Sequence, residues 1–249
     1  SIGIAFYPDD SSEIEALVGY ADQAMYAAKA QGRNGFCYFT QSMQRAALQR
    51  LEIGNDLQQA IDAGQFEVYF QPIVDLTGER CTKAEALVRW QHPTRGLVGP
   101  DEFIAIAEEI GLIGALGDWV FHQAVAMAGE WREGRRAAGI GDDAPIQVSV
   151  NISPRQFIAG TCADWVGHLR RRGLPPWMLA VEITEGLLLD ERPAVTDTLL
   201  AFRDAGIQVS IDDFGTGYSA MSYLKKFAVD TLKIDRSFVR DLGITPQSS

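Results

Sequence analysis

The chain has 249 residues, enough for one large barrel or two ordinary domains with a substantial core. Its composition, 47% hydrophobic and 22% charged, excludes collagen-like, low-complexity and fully disordered classes. A formal charge of −11, from 33 acidic and 22 basic residues, argues against a duplex nucleic-acid partner held on a basic face.

A small phosphorylated ligand stays compatible with that charge, because bound metal ions invert the local field. Three widely spaced cysteines (Cys37, Cys81, Cys162) make neither a disulfide framework nor a metal knuckle. A reducing, cytoplasmic compartment is the simpler reading. No apolar run reaches the roughly 20 residues of a membrane span, and the N-terminus lacks a basic-then-apolar targeting segment.

An apolar strand opens the chain at Ile2 to Tyr7, and the turn cluster from Pro8 to Ser12 follows, with Ser12 placed to cap a helix. Ile14, Leu17, Val18, Ala21, Met25 and Ala28 recur at helical spacing, so Glu13 to Ala30 reads as an amphipathic helix. Gly32 to Gly35 turns into a short strand, Phe36 to Phe39. These forty residues cannot bury both faces of a sheet and read as the tail of a domain whose body lies upstream. Residues 41–63 read as a stiff helical connector, bent near Gly54, that enters a second domain over 64–249. From Phe66 onward strands are expected near 67–75, 81–90, 146–151, 179–184, 207–212 and 230–234. Helices are expected near 101–115, 118–138, 161–171, 194–205 and 218–226. That alternation predicts crossover units on a largely parallel sheet.

Polar groups fall where these strands end: Asn151, Glu182, Asp212, Asp213 and Lys233, with Glu85 in an otherwise apolar segment. Such residues gather at the C-terminal rim of a barrel. A lone carboxylate at a strand end is ordinarily a cap or a salt-bridge partner. Four consecutive strands that each offer an oxygen ligand are harder to explain that way, because crowded carboxylates repel and are costly to bury. Hard divalent cations resolve the conflict. Adjacent Asp212 and Asp213 can turn to different sides of one loop and serve two neighbouring ions. Lys233 reads either as a neutraliser of Asp212 or Asp235, or as a cation beside an attacking water and a phosphoryl group.

Other segments say less. Gly215-Thr216-Gly217 is too short for a phosphate loop, and no Walker lysine follows it. His92, His122 and His168 read as not clustered, and the last two fall on helical, surface stretches. No zinc-hydrolase or serine-hydrolase motif occurs. The five tryptophans show no repeating interval and read as packing residues.

Several segments together resemble the EAL domain: Glu85-Ala86-Leu87-Val88-Arg89-Trp90, Asn151-Ile152-Ser153, Glu182-Ile183-Thr184-Glu185, Asp212-Asp213-Phe214-Gly215 and Leu232-Lys233-Ile234-Asp235. Residues 1–40 resemble the end of a GGDEF domain, through Ala21-Asp22-Gln23-Ala24-Met25-Tyr26 and Gly32-Arg33-Asn34, without the GGDEF signature itself. The resemblance implies a tandem GGDEF–EAL parent, whose upstream part holds the GGDEF body and a sensor and can tether it to a membrane. It implies an α/β fold, a TIM-like (β/α)8 barrel with its first strand antiparallel. It also implies hydrolysis of cyclic di-GMP to linear pGpG with two Mg²⁺ or Mn²⁺ ions, and a homodimer formed through the EAL domain.

Carried over by motif, the metal ligands are Glu85, Asn151, Glu182, Asp212 and Asp213. Lys233 and Asp213 act at the reacting water, and Glu185 braces the loop that begins at Asp213. Gln71, Arg89 and Asp235 lie on the substrate side. The family pattern continues with a seventh strand bearing a Glu and an eighth bearing Gln-Gly, and neither motif follows Asp235. The expectation is therefore a barrel lacking its last two units, with the activity assigned to the intact parent. A non-catalytic cyclic di-GMP receptor is the alternative.

Overall fold

The computed structural model describes residues 1–30, 32–78, 80–140, 146–190, 192–215 and 229–240. It divides into two compact units, Ser1–Ala60 and Ile61–Ser249.

In the first unit β1 (Ile2–Ile4) pairs in parallel with β2 (Phe36–Tyr38), under α1 (Ile14–Ala30), and α2 (Gln41–Ala60) follows. α1 lies so close to β1 that a Cβ on Gly3 would meet the Ala21 carbonyl oxygen at 1.8 Å. The first strand is shorter than its apolar run predicts. The Phe6 N–H turns to the Asp10 carboxylate at 2.7 Å, so the chain leaves the sheet there. Ser11, not Ser12, supplies the hydroxyl ahead of α1, accepting from Glu13 N at 3.0 Å. α2 runs through Gly54 as one helix.

In the second unit β3 (Phe66–Asp75) pairs antiparallel with β4 (Arg80–His92). β6 (Gln147–Asn151), β7 (Leu179–Thr184), β8 (Gln208–Phe214) and β9 (Thr231–Ile234) then add in sequence order, each parallel to the last. The sheet is thus an α/β arrangement with an antiparallel first strand, as the resemblance implies. Among the described residues the strand order is monotonic, without the reversal that marks a doubly wound sheet. A seventh strand, β5 (Gly96–Val98), folds back on the end of β4. Its turn is shaped by His92, whose Nδ1 accepts from the N–H groups of Thr94 and Arg95, and by Gly96 at φ 73°.

The crossovers carry α3 (Pro100–Glu109), α4 (Ile113–Ala137), α5 (Pro154–Ala159), α6 (Trp165–Arg171) and α7 (Pro193–Ala205). The break between α3 and α4 falls at Gly111, whose φ of 80° suits glycine, and not near Gly117 as the predicted spans require. α5 was not expected from the sequence. Ser153 and Gln156 form a capping box at its start, Pro154 opens it, and Gly160 at φ 69° closes it. The predicted helix at 161–171 consequently begins only at Trp165. The predicted helix at 218–226 lies outside the described residues. α8 (Arg236–Arg240) follows β9.

Val148, Val150, Val181, Ile183, Val209 and Ile211 are buried along the parallel strands. Outside them, Phe121 stacks on Trp165 with ring centres 4.2 Å apart, and Phe157 packs against Phe202. Burying each such aromatic or aliphatic side chain contributes about 1.5–3 kcal/mol. That packing fixes the strands, and with them the rim residues.

Candidate metal centre at the strand ends

Pairing register decides which side chains share a face. Glu85 is opposite Ser149, Asn151 opposite Glu182, Glu182 opposite Ser210, and Ser210 opposite Thr231. Side chains two residues apart on a strand point the same way. Glu85, Asn151, Glu182, Asp212 and Lys233 therefore rise from one face of five neighbouring strands. The buried Ala84, Ala86 and Val88 of β4 occupy the other face, toward the helices.

Carboxylate oxygens of Glu85, Glu182 and Asp212 lie within 4.8 Å of one another. Asn151 donates its amide to Glu85 at 2.8 Å. The Lys233 ammonium sits among the acids, 2.6 Å from Glu182, 3.0 Å from Glu85 and 3.3 Å from Asp212. Glu182 is 2% exposed. Burial and the neighbouring Glu85 raise its pKa, while the hydrogen bond from Lys233 opposes the rise. Burial also pulls the Lys233 pKa down, but Glu182 and Glu85 outweigh it and hold the lysine strongly cationic.

Asp213 turns away from this cluster. Its φ of 52° lies in the left-handed region, its N–H is 3.0 Å from Asp212 Oδ1, and its side chain is exposed. Burial, Asp212 and Asp235 each raise its pKa. Glu185 begins a single 3₁₀ turn after β7 and is buried. Its carboxylate accepts from the Gly215 N–H at 3.2 Å, tying that turn to the end of β8. Asp235 stands before α8 and accepts from the Ser237 N–H at 2.8 Å and from the Ser237 hydroxyl, which lowers its pKa. Gln71 is directly opposite Glu85 across the β3–β4 pair. Arg89 lies on the same face of β4, four residues beyond Glu85, its guanidinium 5.7 Å from the centre of the Tyr69 ring and bonded to the Val88 carbonyl.

A cleft of about 510 Å³ opens beside the cluster, lined by Leu87, Asp101, Ile104, Asn151, Thr184 and Asp213 among others. Its wall is fixed by contacts that sequence reading missed. The Ser153 hydroxyl donates to Glu108 at 2.6 Å, and Arg155 donates to the Glu108 carbonyl at 2.6 Å. A glutamate ahead of Gly111 and a Ser-Pro-x-Gln capping box are the sequence signals that could have found them. One earlier expectation is corrected: His122 and His168, 46 positions apart, meet between α4 and α6 with ring nitrogens at 3.3 Å.

A singly wound α/β sheet with converging carboxylates, an amide and a lysine at its C-terminal rim defines a class of sites built to hold hard divalent cations. The chain belongs to the EAL-domain family, whose pattern it matches over residues 54–248, and residues 1–35 match the diguanylate cyclase GGDEF domain. It is 40% identical over 244 residues to the bifunctional diguanylate cyclase/cyclic di-GMP phosphodiesterase MucR of Pseudomonas aeruginosa, covering 98% of this chain and 35% of that protein. Against the cyclic di-GMP phosphodiesterase PdeR of Escherichia coli it is 39% identical over 249 residues, covering 100% of this chain and 36% of that protein. The chain thus spans about a third of the length of these relatives. Among solved structures it resembles the PaMucR phosphodiesterase in complex with c-di-GMP, with a TM-score of 0.68 and 35% identity over 79% of this chain and 77% of that one. It also resembles the EAL enzyme Bd1971 bound to cAMP and cyclic di-GMP, with a TM-score of 0.73 and 34% identity over 82% of this chain and 54% of that one. No helix among the described residues is long and apolar enough to cross a membrane.

Proposed function

We propose that this chain carries the catalytic centre of a divalent-metal-dependent phosphodiesterase that hydrolyses cyclic di-GMP to linear pGpG. The observation that carries the reading is the convergence of Glu85, Glu182 and Asp212 within 4.8 Å, with Asn151 bonded to Glu85. Relatives named as cyclic di-GMP phosphodiesterases support the choice of substrate.

The donor set fits Mg²⁺ or Mn²⁺: hard carboxylate and amide oxygens, partly buried, with no thiolate or imidazole among them. Lys233 already places one positive charge among the acids, so the pocket tolerates a cation there. We assign Glu85, Asn151, Glu182 and Asp212 to one ion, and Asp213, aimed to the other side of its loop, to a second. When bound, such ions act as Lewis acids that favour ionisation of a water and neutralise phosphoryl charge. Net hydrolysis adds the water oxygen to phosphorus and breaks the P–O3′ bond. The water's protons are left to the released 3′ hydroxyl and to solvent.

The chain's own residues do the rest. Lys233 holds its proton and offers N–H donors to the phosphoryl oxygens or the water, and Asp213 orients that water. Glu185 keeps Gly215, and so the end of β8, in place. Gln71, Arg89 and Asp235 bind the nucleotide, the arginine through its two-pronged donor face. Dimerisation through the EAL unit belongs to the same proposal and is read by light scattering.

Chromatography of cyclic di-GMP incubated with the chain and Mn²⁺ tests the reading. Formation of pGpG that disappears in Glu85→Ala is the expected result. Tight binding without product from a folded sample would replace hydrolysis by a receptor role, and product formation by Glu85→Ala would sink the assignment of the centre.

A further inference from the structure

β3 and β4 extend the face that holds the acids beyond the metal centre, and the proposed chemistry leaves one large side chain there without a role. Across that antiparallel pair Gln71 is opposite Glu85, Tyr69 opposite Leu87 and Glu67 opposite Arg89. Directly opposed residues share a face, as do residues two apart on one strand. Glu67, Tyr69, Gln71, Glu85, Leu87 and Arg89 therefore form one surface. Phe66 and Phe70 turn the other way and pack on Phe103 of α3 and Trp131 of α4. Tyr69 stands two residues along β3 from the Gln71–Glu85 pair, which is roughly 7 Å.

An aromatic residue suits a pleated strand and packs against the residue opposite, so a tyrosine here needs no ligand to explain it. Its surroundings depart from simple packing. Phe66 and Trp90, on the helix side of the same pair, are buried, whereas Tyr69 is 45% exposed. Arg89 has a carboxylate directly opposite in Glu67, yet Glu67 accepts from Gln91 at 3.2 Å and the Arg89 guanidinium lies 5.7 Å from the Tyr69 ring centre. That is the range of a cation–π contact. Leu87, opposite Tyr69, lines the cleft of about 510 Å³ beside the acids. An uncovered ring with a guanidinium at its side thus borders the cleft, one step of the pleat from Glu85.

A nucleobase matches these groups. Its flat π-face stacks on an aromatic side chain, and its linked phosphate takes hydrogen bonds from a guanidinium. With a phosphodiester at Glu85 and Glu182, the attached sugar carries a base outward along the same face, toward Tyr69. Every base has a π-face, so such a contact adds affinity without choosing between bases.

We propose that Tyr69 is a nucleobase-stacking residue, whose ring, steadied by Arg89, receives one base of the cyclic dinucleotide; this rests on the reading of the chain as a cyclic di-GMP phosphodiesterase. The test is steady-state hydrolysis of cyclic di-GMP by the 249-residue chain with Mn²⁺, alongside Tyr69→Phe and Tyr69→Leu. Leucine keeps an apolar side chain opposite Leu87 but has no flat ring. Tyr69→Leu should raise KM about fivefold or more with kcat nearly unchanged, and Tyr69→Phe should leave both nearly unchanged. If the chain binds without turning over, the same loss is read in the dissociation constant. Calorimetric titration with Mn²⁺ should give the same affinity in all three proteins. Equal KM in the unmodified chain and Tyr69→Leu, or an equal loss in Tyr69→Phe, overturns the stacking role while leaving the functional reading in place. Loss of Mn²⁺ binding in Tyr69→Leu also overturns it, by making the effect one of a disturbed centre. Neither binding nor turnover by the unmodified chain removes the functional reading and this proposal together.

Discussion

Lys233 occupies the point where three carboxylates converge, and its removal has a cost that its neighbours determine. Glu182 is 2% exposed and Lys233 27% exposed, so the ion pair is largely but not fully withdrawn from water. Breaking a buried pair by deleting one partner costs about 3–5 kcal/mol, and exposed pairs are worth about 0–1. Lys233→Met should therefore destabilise the protein by roughly 2 kcal/mol in the absence of divalent ions. The same substitution leaves Glu85, Glu182 and Asp212 without their resident cation. Mn²⁺ should then stabilise Lys233→Met more than it stabilises the unmodified chain. Urea unfolding with and without Mn²⁺ measures both effects. Equal stabilisation of the two proteins would show that the acids do not share one cation position. Turnover should fall at least a hundredfold in the variant whatever its stability, if the lysine donates to the reacting group.

At the scale of elements, α4 offers two glycines with opposite expectations. A Cβ on Gly117 would lie 2.0 Å from the side-chain nitrogen of Gln156, which is 1% exposed and completes the capping box of α5. Gly117→Ala must either push α5 away or break the box, and should cost about 1–3 kcal/mol as overpacking does. Gly134 has open space around its Cβ position and helical backbone. Gly134→Ala should therefore stabilise by about 0.5–1 kcal/mol, because alanine gains helix propensity without a clash. Thermal melting of the two variants decides it, and a shift of the same sign in both would refute the keyed contact between α4 and α5.

This pair also shows what sequence could and could not deliver. Strand positions were readable because buried parallel strands are short, apolar and end in polar residues, and β7 falls at the expected 179–184. Glu182 and Asp212 were readable for the same reason, since each stands near a strand end, whereas Glu85 lies mid-strand in β4 and showed only as a carboxylate in an otherwise apolar run. The Gly117–Gln156 contact was not, because it depends on how two helices approach, and the break at Gly111 was misplaced for want of that knowledge. The His122–His168 meeting is of the same kind: helical periodicity puts each residue on a face, but the pairing of faces is a tertiary fact.

For the whole molecule, the placement of the centre predicts how metal couples to folding. Every residue assigned to an ion belongs to Ile61–Ser249, and none to Ser1–Ala60. A ligand that binds only the folded state stabilises by about 2.7 kcal/mol when its free concentration is a hundred times the dissociation constant. For a unit of this length that corresponds to a rise in melting temperature of roughly 5–11 °C. Differential scanning calorimetry with Mn²⁺ should move the transition of the Ile61–Ser249 unit by that amount. Any separate transition of Ser1–Ala60 should stay in place. Glu182→Gln, which removes a ligand oxygen's charge but keeps its size, should abolish the shift. A chelator should return the unmodified chain to its metal-free melting temperature. Stabilisation that persists in Glu182→Gln would place the bound ion elsewhere than among the strand-end carboxylates. A shift confined to Ser1–Ala60 would separate metal binding from the proposed centre altogether.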